Sequence, residues 1–366
     1  MAPNRKKTSR VGILASLYMV GAVMSCSASS AAGDKSADGF FEVGPPPRIR
    51  EADLIEATAK IRLSSSGLSV DTSNRFAVAN FFNTIYLPAF VPPIMWTGDV
   101  ASCTPGTTNP DYEQATIDLV NYFRAMAGLP GDVTLDPALN SYDQDMALMM
   151  VAQGIISNNP PPTWKCYTAG GAQAARYSLL SLGHRGPDAI VNAYMAEKGG
   201  GDASVGHRRW ILYPRQVTMG TGSTDAQAPG FNPGSNAVWV QAGFGARPAS
   251  PEWVAWPPRG YVPYQVVYPR WSFSRPGADF SATTISMTHD TKKISLTVLP
   301  VVLNIADNTI VWEPSGIVAG APAVDTTYKV TLDNVVVSGS PRSYSYDVTI
   351  MDPAIASPER VAWMIY

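Results

Sequence analysis

Apolar residues fall at helical spacing in the first half of the chain and at alternate positions in the second. Asn109-Pro110 offers an N-cap followed by proline at the first helical position, and Tyr112, Ala115, Leu119, Tyr122, Phe123 and Met126 then recur on one face until Gly128. Asp136-Pro137 repeats that start, with Leu139, Tyr142, Met146, Met149 and Met150 on one face, Asp143, Gln144 and Asp145 mostly off it, and an end near Gly154. A third start at Gly186-Pro187-Asp188 runs through Ile190 and Tyr194 to the glycines at 199–201. Residues 73–87 carry Phe76, Val78, Phe81, Phe82 and Ile85 at mixed spacing and form the first packed element, so the main domain is placed at 73–276.

After His207 the texture changes. Trp210-Ile211-Leu212 and Ala237-Val238-Trp239-Val240, broken by Gly, Pro and Asn, have the grammar of strands and turns. Beyond residue 283 the alternation in Ile285-Ser286-Met287-Thr288, Ile294-Ser295-Leu296-Thr297-Val298, Tyr328-Lys329-Val330-Thr331-Leu332 and Tyr344-Ser345-Tyr346-Asp347-Val348-Thr349-Ile350 predicts evenly spaced strands. The fold class is therefore α+β, with a β-sandwich over 277–366 appended to the main domain.

The N-terminal end changes the picture of where the protein works. Arg5, Lys6, Lys7 and Arg10 precede an apolar run over 11–23 and then Met24-Ser25-Cys26, the layout of a signal peptide over 1–26. Small or apolar residues ending at Cys26 resemble a bacterial lipobox, which implies lipidation at Cys26 and a membrane anchor; the alternative is plain secretion after cleavage nearby. Either way the protein is expected to be exported. Cys103 and Cys166 then remain as an even pair in an oxidising compartment, and a disulfide between them is the default over two free buried thiols. Residues 27–72 read as a linker and N-terminal extension: Ser, Ala, Gly and Asp up to Pro45-Pro46-Pro47 give little that packs, with a short helix over 51–61. A formal net charge of −2 with mixed signs offers no basic face, which excludes nucleic acid as a partner.

Three separated segments carry a family resemblance: Val205-Gly206-His207-Arg208-Arg209-Trp210-Ile211-Leu212-Tyr213-Pro214, Asn121-Tyr122-Phe123-Arg124-Ala125-Met126-Ala127-Gly128-Leu129, and Leu135-Asp136-Pro137-Ala138-Leu139. Together they resemble the CAP superfamily of cysteine-rich secretory proteins, venom antigens and pathogenesis-related proteins, in particular its bacterial lipoprotein-like members. The resemblance implies an α-β-α sandwich and a cleft lined by two histidines and two acidic residues, which in some members binds a divalent metal. Gly206-His207 keeps one histidine. The place of the other reads Ile156-Ser157-Asn158-Asn159, and the family Gly-Glu-Asn corresponds to Gly171-Ala172-Gln173. One imidazole among amides falls short of the three or so ligands that zinc needs, so no metal site or cofactor is expected, the only opening for a divalent metal being at His207.

The expectation is a non-catalytic binding protein with a degenerate metal cleft, formed by His207, Asn158, Asn159 and Gln173 with Arg208 or Arg209 available to an acidic group, and taking a lipid, glycan or protein ligand. One alternative is a divergent hydrolase in which His207 works with a carboxylate such as Asp202 or Glu252. Ser204 lacks a nucleophile elbow; His184 joins His207 only if its loop folds inward; and His289 reads as a turn residue. Another alternative is a cell-surface adhesion module, with the aromatic stretch from Trp253 to Trp271 as its contact patch.

Overall fold

The computed structural model describes residues 34–35, 41–48, 67–197, 202–226, 234–317 and 320–354. Cys26 with the signal-like segment, and the helix expected over 51–61, lie outside the described residues. In chain order come strands β1 (Asp34–Lys35) and β2 (Glu42–Val43), helices α1 (Arg75–Phe81) and α2 (Pro110–Met126), β3 (Thr134–Leu135), α3 (Pro137–Gln153), α4 (Ala169–Tyr177) and β4 (Ser178–Leu182). They are followed by α5 (Gly186–Asp188), which widens into π-type turns over Ala189–Met195, then α6 (Gly206–Ile211), β5 (Thr218–Thr224) and β6 (Ser235–Trp239). The expected starts hold: Asn109 and Asp136 cap α2 and α3 with side-chain oxygens, and α3 stops at Gly154, whose φ of 75° is the left-handed turn that glycine adopts without cost.

Six strands form one sheet in the order β1-β2-β4-β6-β5-β3, antiparallel except where β3 meets β5. Side chains alternate across it. Leu180, Leu182, Ala237 and Trp239 point to α3 and α4 and share a core with Met146, Met149, Ala174 and Ala175. Leu179 and Val238 point the other way, into a core with Val78 of α1, Phe123 of α2, Tyr194 and Trp210. This is the α-β-α sandwich, and it explains why β4 and β6 are buried at every position. Helix α3 sits close on β5 because Gly220 and Gly222 have no Cβ; one at Gly222 would stand 2.1 Å from the Gln144 nitrogen. Asp143 and Gln144, expected mostly off the packed face, are buried against the sheet instead. Asp143 accepts from the Ser178 hydroxyl (2.6 Å) and the Trp239 N–H (2.8 Å), while Gln144 bonds both main-chain groups of Ser223.

The segment after His207 differs from expectation in kind. Trp210-Ile211-Leu212 belongs to α6 and the turn that ends it, not to a strand. The run is short and buried on all sides, so no periodicity separated the two readings.

The C-terminal strands are β7 (Val254–Trp256), β8 (Gly260–Pro263), β9 (Trp271–Ser274), β10 (Ala278–Asp279), β11 (Thr284–His289), β12 (Lys292–Ile294), β13 (Leu296–Val298), β14 (Thr309–Pro314), β15 (Thr326–Val337) and β16 (Ser340–Met351). Two sheets result, β12-β11-β15-β16-β8 with β10 beside β15, and β13-β14-β9-β7. Their facing sides interlock through Trp271 with Tyr328 (6.2 Å), Phe273 with Tyr344 (5.1 Å), and the Trp312 N–H on Met287 sulfur (3.2 Å). The boundary expected at 277 is therefore too late, since β7, β8 and β9 already pair into this β region. The appended β region shares its interior with the main domain. One hydrophobic cluster runs from Phe123 and Trp210 through Trp256 and Val262 to Leu332 and Val348, and Trp256 stands edge-on to Phe123 at 5.1 Å.

A disulfide joins Cys103 to Cys166 across a separation of 63 residues. Replacing both by alanine should lower the free energy of unfolding by about 4 kcal/mol on the chain-entropy account, read as a lower urea midpoint with unchanged circular dichroism.

Candidate functional site

Residues Glu197 and 202–211 build the site largely from their own main chain. Glu197 (φ 52°) and Val205 (φ 46°) both take the left-handed conformation, which costs a non-glycine residue roughly 1–2 kcal/mol. Hydrogen bonds offset that strain. Helix α6 starts directly after Val205, and its unpaired N–H groups meet two carboxylates. Glu197 Oε1 accepts from the N–H of His207 (2.7 Å) and of Arg208 (3.2 Å), and Asp202 Oδ2 accepts from that of Gly206 (2.9 Å). Asp202 Oδ1 takes the Ser204 N–H (2.9 Å) and its hydroxyl, so Ser204 is tied into the loop.

The His207 ring is buried and stacks on Tyr194, with centroids 5.7 Å apart. Nδ1 lies 2.9 Å from Glu197 Oε2, and Nε2 lies 2.7 Å from the carbonyl oxygen of Gly44. Both neighbours are acceptors. A neutral imidazole has one N–H to give, so against an ionised carboxylate and a carbonyl the doubly protonated ring satisfies both contacts. Burial works against that charge, but the Glu197 carboxylate, its hydrogen bond, Asp202 and the Gly44 carbonyl outweigh it and raise the His207 pKa above its ordinary 6.5. Burial likewise works against the Asp202 carboxylate, yet His207 and the bonds from Ser204 and Gly206 hold its pKa below the ordinary 3.8.

Glu197, Asp202 and His207 each bring one ligand-type atom to within 4.8 Å of the others. An ion bound at Nδ1 would have to take the place of the proton between that nitrogen and Glu197, and the carboxylate oxygens already accept from α6 and its approach.

Of the residues expected at the cleft, Asn158 lies beside His207's neighbour: its Nδ2 donates to the Pro45 carbonyl (3.2 Å). Asn159 accepts from Arg176 of α4 (3.3 Å), and Gln173 is exposed on the same helix, with no bond to His207 among the described residues. Arg208 and Arg209 face inward to carbonyls rather than outward to a ligand. Arg208 donates to Met195 (2.8 Å) and Arg270 (2.7 Å), Arg209 to Val302 (2.9 Å), Ile305 (2.6 Å) and Asp307 (2.8 Å). Burial pushes both guanidiniums down to about 10. His184 pairs with Asp188 and lies tilted against Phe41, apart from the cluster. Glu252 pairs with Arg275 (2.8 Å), and His289 ends β11 with Nδ1 at 2.9 Å from the Thr327 carbonyl. Trp256, Trp271 and Tyr268 are buried and Trp253 stacks on Phe273, while Trp253, Tyr261 and Tyr264 are half-buried.

Two components were not foreseen. Glu197 ends the apolar run Tyr194-Met195-Ala196, where it reads as the polar edge of a helix; its distance from His207 in sequence gives no sign of the pairing. Residues 41–48, read as part of a non-packing tether, lie over His207. Prolines lack the N–H that regular structure needs, but their carbonyls remain, and here they are met by side chains. Gly206 serves close approach, since a Cβ there would stand 2.4 Å from Pro46 Cγ.

Residues 117–242 match the model of the family described as CAP, the cysteine-rich secretory protein family, and the chain thus carries a domain of that family. No curated protein matches the chain. Among solved structures, PcoC, a methionine-rich copper resistance protein from Escherichia coli, aligns with 26% of this chain and 92% of its own at 15% identity, with a TM-score of 0.20. Its selenomethionine form aligns over 26% and 94% at 14% identity with the same score of 0.20, a level of likeness that carries no weight.

Glu197→Gln should destabilise the protein by roughly 3–5 kcal/mol, because it removes one partner of a buried charge pair. The raised His207 pKa contributes stability in full below about pH 6.5, and that contribution is lost as pH rises through the raised value; the lowered Asp202 pKa contributes above about pH 3.8. The gap in urea midpoint between the unaltered chain and His207→Ala should therefore be widest from about pH 4 to 6.5 and shrink at higher pH.

Proposed function

We propose that this protein is an exported CAP-domain binding protein whose cleft holds a ligand without transforming it and whose ancestral type of metal site has become a structural ion cluster. The observation that carries the reading is that both His207 nitrogens lie against oxygen acceptors, a carboxylate oxygen of Glu197 and the Gly44 carbonyl, to which a doubly protonated ring donates. An imidazolium so held has no lone pair with which to take a proton from water or a hydroxyl, and none to offer a metal. Ser204, three residues before His207, donates its hydroxyl to Asp202. A hydrolase built on His207 would require that bond pattern to break first.

Export, and a lipid anchor at Cys26, rest on the basic and apolar N-terminal pattern and fit the disulfide between Cys103 and Cys166. The partner at the membrane would then be the bilayer itself.

Calorimetric titration of the full chain with Zn²⁺ at neutral pH should give no heat that depends on His207, and nitrophenyl esters and casein should show no turnover that depends on it. Tight binding or turnover abolished by His207→Ala would overturn the reading.

A further inference from the structure

The segment 41–48 lies on the site as a ligand lies on a receptor. β2 extends the central sheet by pairing antiparallel with β4, Glu42 opposite Leu182 and Val43 opposite Ser181, and the Gly44 N–H adds a bond to the Leu180 carbonyl (2.9 Å). From there the chain continues as Gly44-Pro45-Pro46-Pro47, and its carbonyls are met by side-chain donors. His207 Nε2 serves Gly44 (2.7 Å), Asn158 Nδ2 serves Pro45 (3.2 Å), Trp210 Nε1 serves Pro47 (2.6 Å) and Gln241 Nε2 serves Arg48 (3.3 Å). The bare face of Gly206 receives the Pro46 ring. Donors aimed at carbonyls, a strand edge and a glycine floor for a proline ring are the parts that read an extended proline-containing peptide.

The occupant also leaves a group unmet. Asn158 Oδ1 is buried and has no hydrogen-bond partner among the described residues, and the three prolines beside it have no N–H to give. A strand with an ordinary residue next to its Gly-Pro unit would bring that N–H.

We propose that the cleft over Glu197, Asp202 and His207 is a peptide groove for an extended Gly-Pro-containing strand of a partner protein, and that residues 41–48 fill it as a tethered stand-in which the partner displaces. The inference rests on the binding reading above and names its ligand class. The Gly44 position must stay small, because a Cβ there would stand 2.8 Å from Ile156 Cγ2.

The test uses the full chain and a fluorescent synthetic peptide, Phe-Glu-Val-Gly-Pro-Pro-Pro-Arg. A tethered competitor acts at an effective concentration on the order of millimolar, so Gly44→Val, which expels the tethered copy, should bind the peptide at least about tenfold more tightly than the unaltered chain. Adding Asn158→Ala to Gly44→Val should weaken binding about three- to tenfold, the worth of one hydrogen bond. A scrambled peptide should not bind. In the unaltered chain, millimolar peptide should speed hydrogen exchange of the Gly44 amide, a readout that needs no variant to fold. Equal, weak binding of peptide and scrambled peptide by Gly44→Val, with the Gly44 amide unchanged, overturns the groove and leaves the non-catalytic reading standing. Binding with His207-dependent cleavage of the peptide upholds the groove and removes the non-catalytic reading. Uptake of palmitate by Gly44→Val without uptake of peptide assigns the cleft to lipids and overturns the proposal.

Discussion

Three hydrogen bonds converge on the carboxylate of Glu197, from the main-chain N–H groups of His207 and Arg208 and from the His207 ring, and much of the molecule is arranged by them. They fix the first turn of α6, whose other side chains then point to fixed destinations. Arg208 and Arg209 reach carbonyls of the C-terminal β region, and Arg270 of that region reaches back to the carbonyls of Glu197 (3.3 Å) and Asp202 (2.9 Å). A buried guanidinium left without such acceptors would be costly, so the turn and the β region hold each other in place. The same turn sets the His207 ring against residues 41–48, and one helix of six residues thus ties together the N-terminal segment, the central sandwich and the C-terminal sheets.

What was legible in the sequence follows from which faces are wet. α2 and α3 announce themselves through Asn109-Pro110, Asp136-Pro137 and Gly154, because capping is a local matter settled by a few neighbouring atoms. The strands β11, β15 and β16 alternate visibly, since one side of their sheet is exposed. β4 gives no such sign: Ser178-Leu179-Leu180-Ser181-Leu182 has helices on both faces, and its serines are buried. α6 suffers the same loss of contrast. His207 stood out through the family resemblance, but its real neighbours, Glu197 and Gly44, are joined to it by tertiary contacts that no spacing announces. The proline run 45–47 has no N–H groups to pair, yet its carbonyls are served by the side chains of Asn158 and Trp210, which no local pattern announces.

The CAP domain and the β region share one apolar core, so a fragment cut at the expected boundary of 277 would separate β9 from its partner β14 and bare the faces of Trp271 and Phe273. Asp143 shows how much polar structure that interior tolerates. Its carboxyl is fully buried, burial pushes its pKa up to about 7, and it still binds two parts of the sheet to α3.

The parallel pairing of β8 with β16 sets the order in which the chain can acquire its structure. Gly260 to Pro263 find their strand partners in Val348 to Met351, so the larger C-terminal sheet cannot be closed until that strand has been made. Long-range pairing of this kind is slow, because loop-closure entropy is lost before contacts reward it.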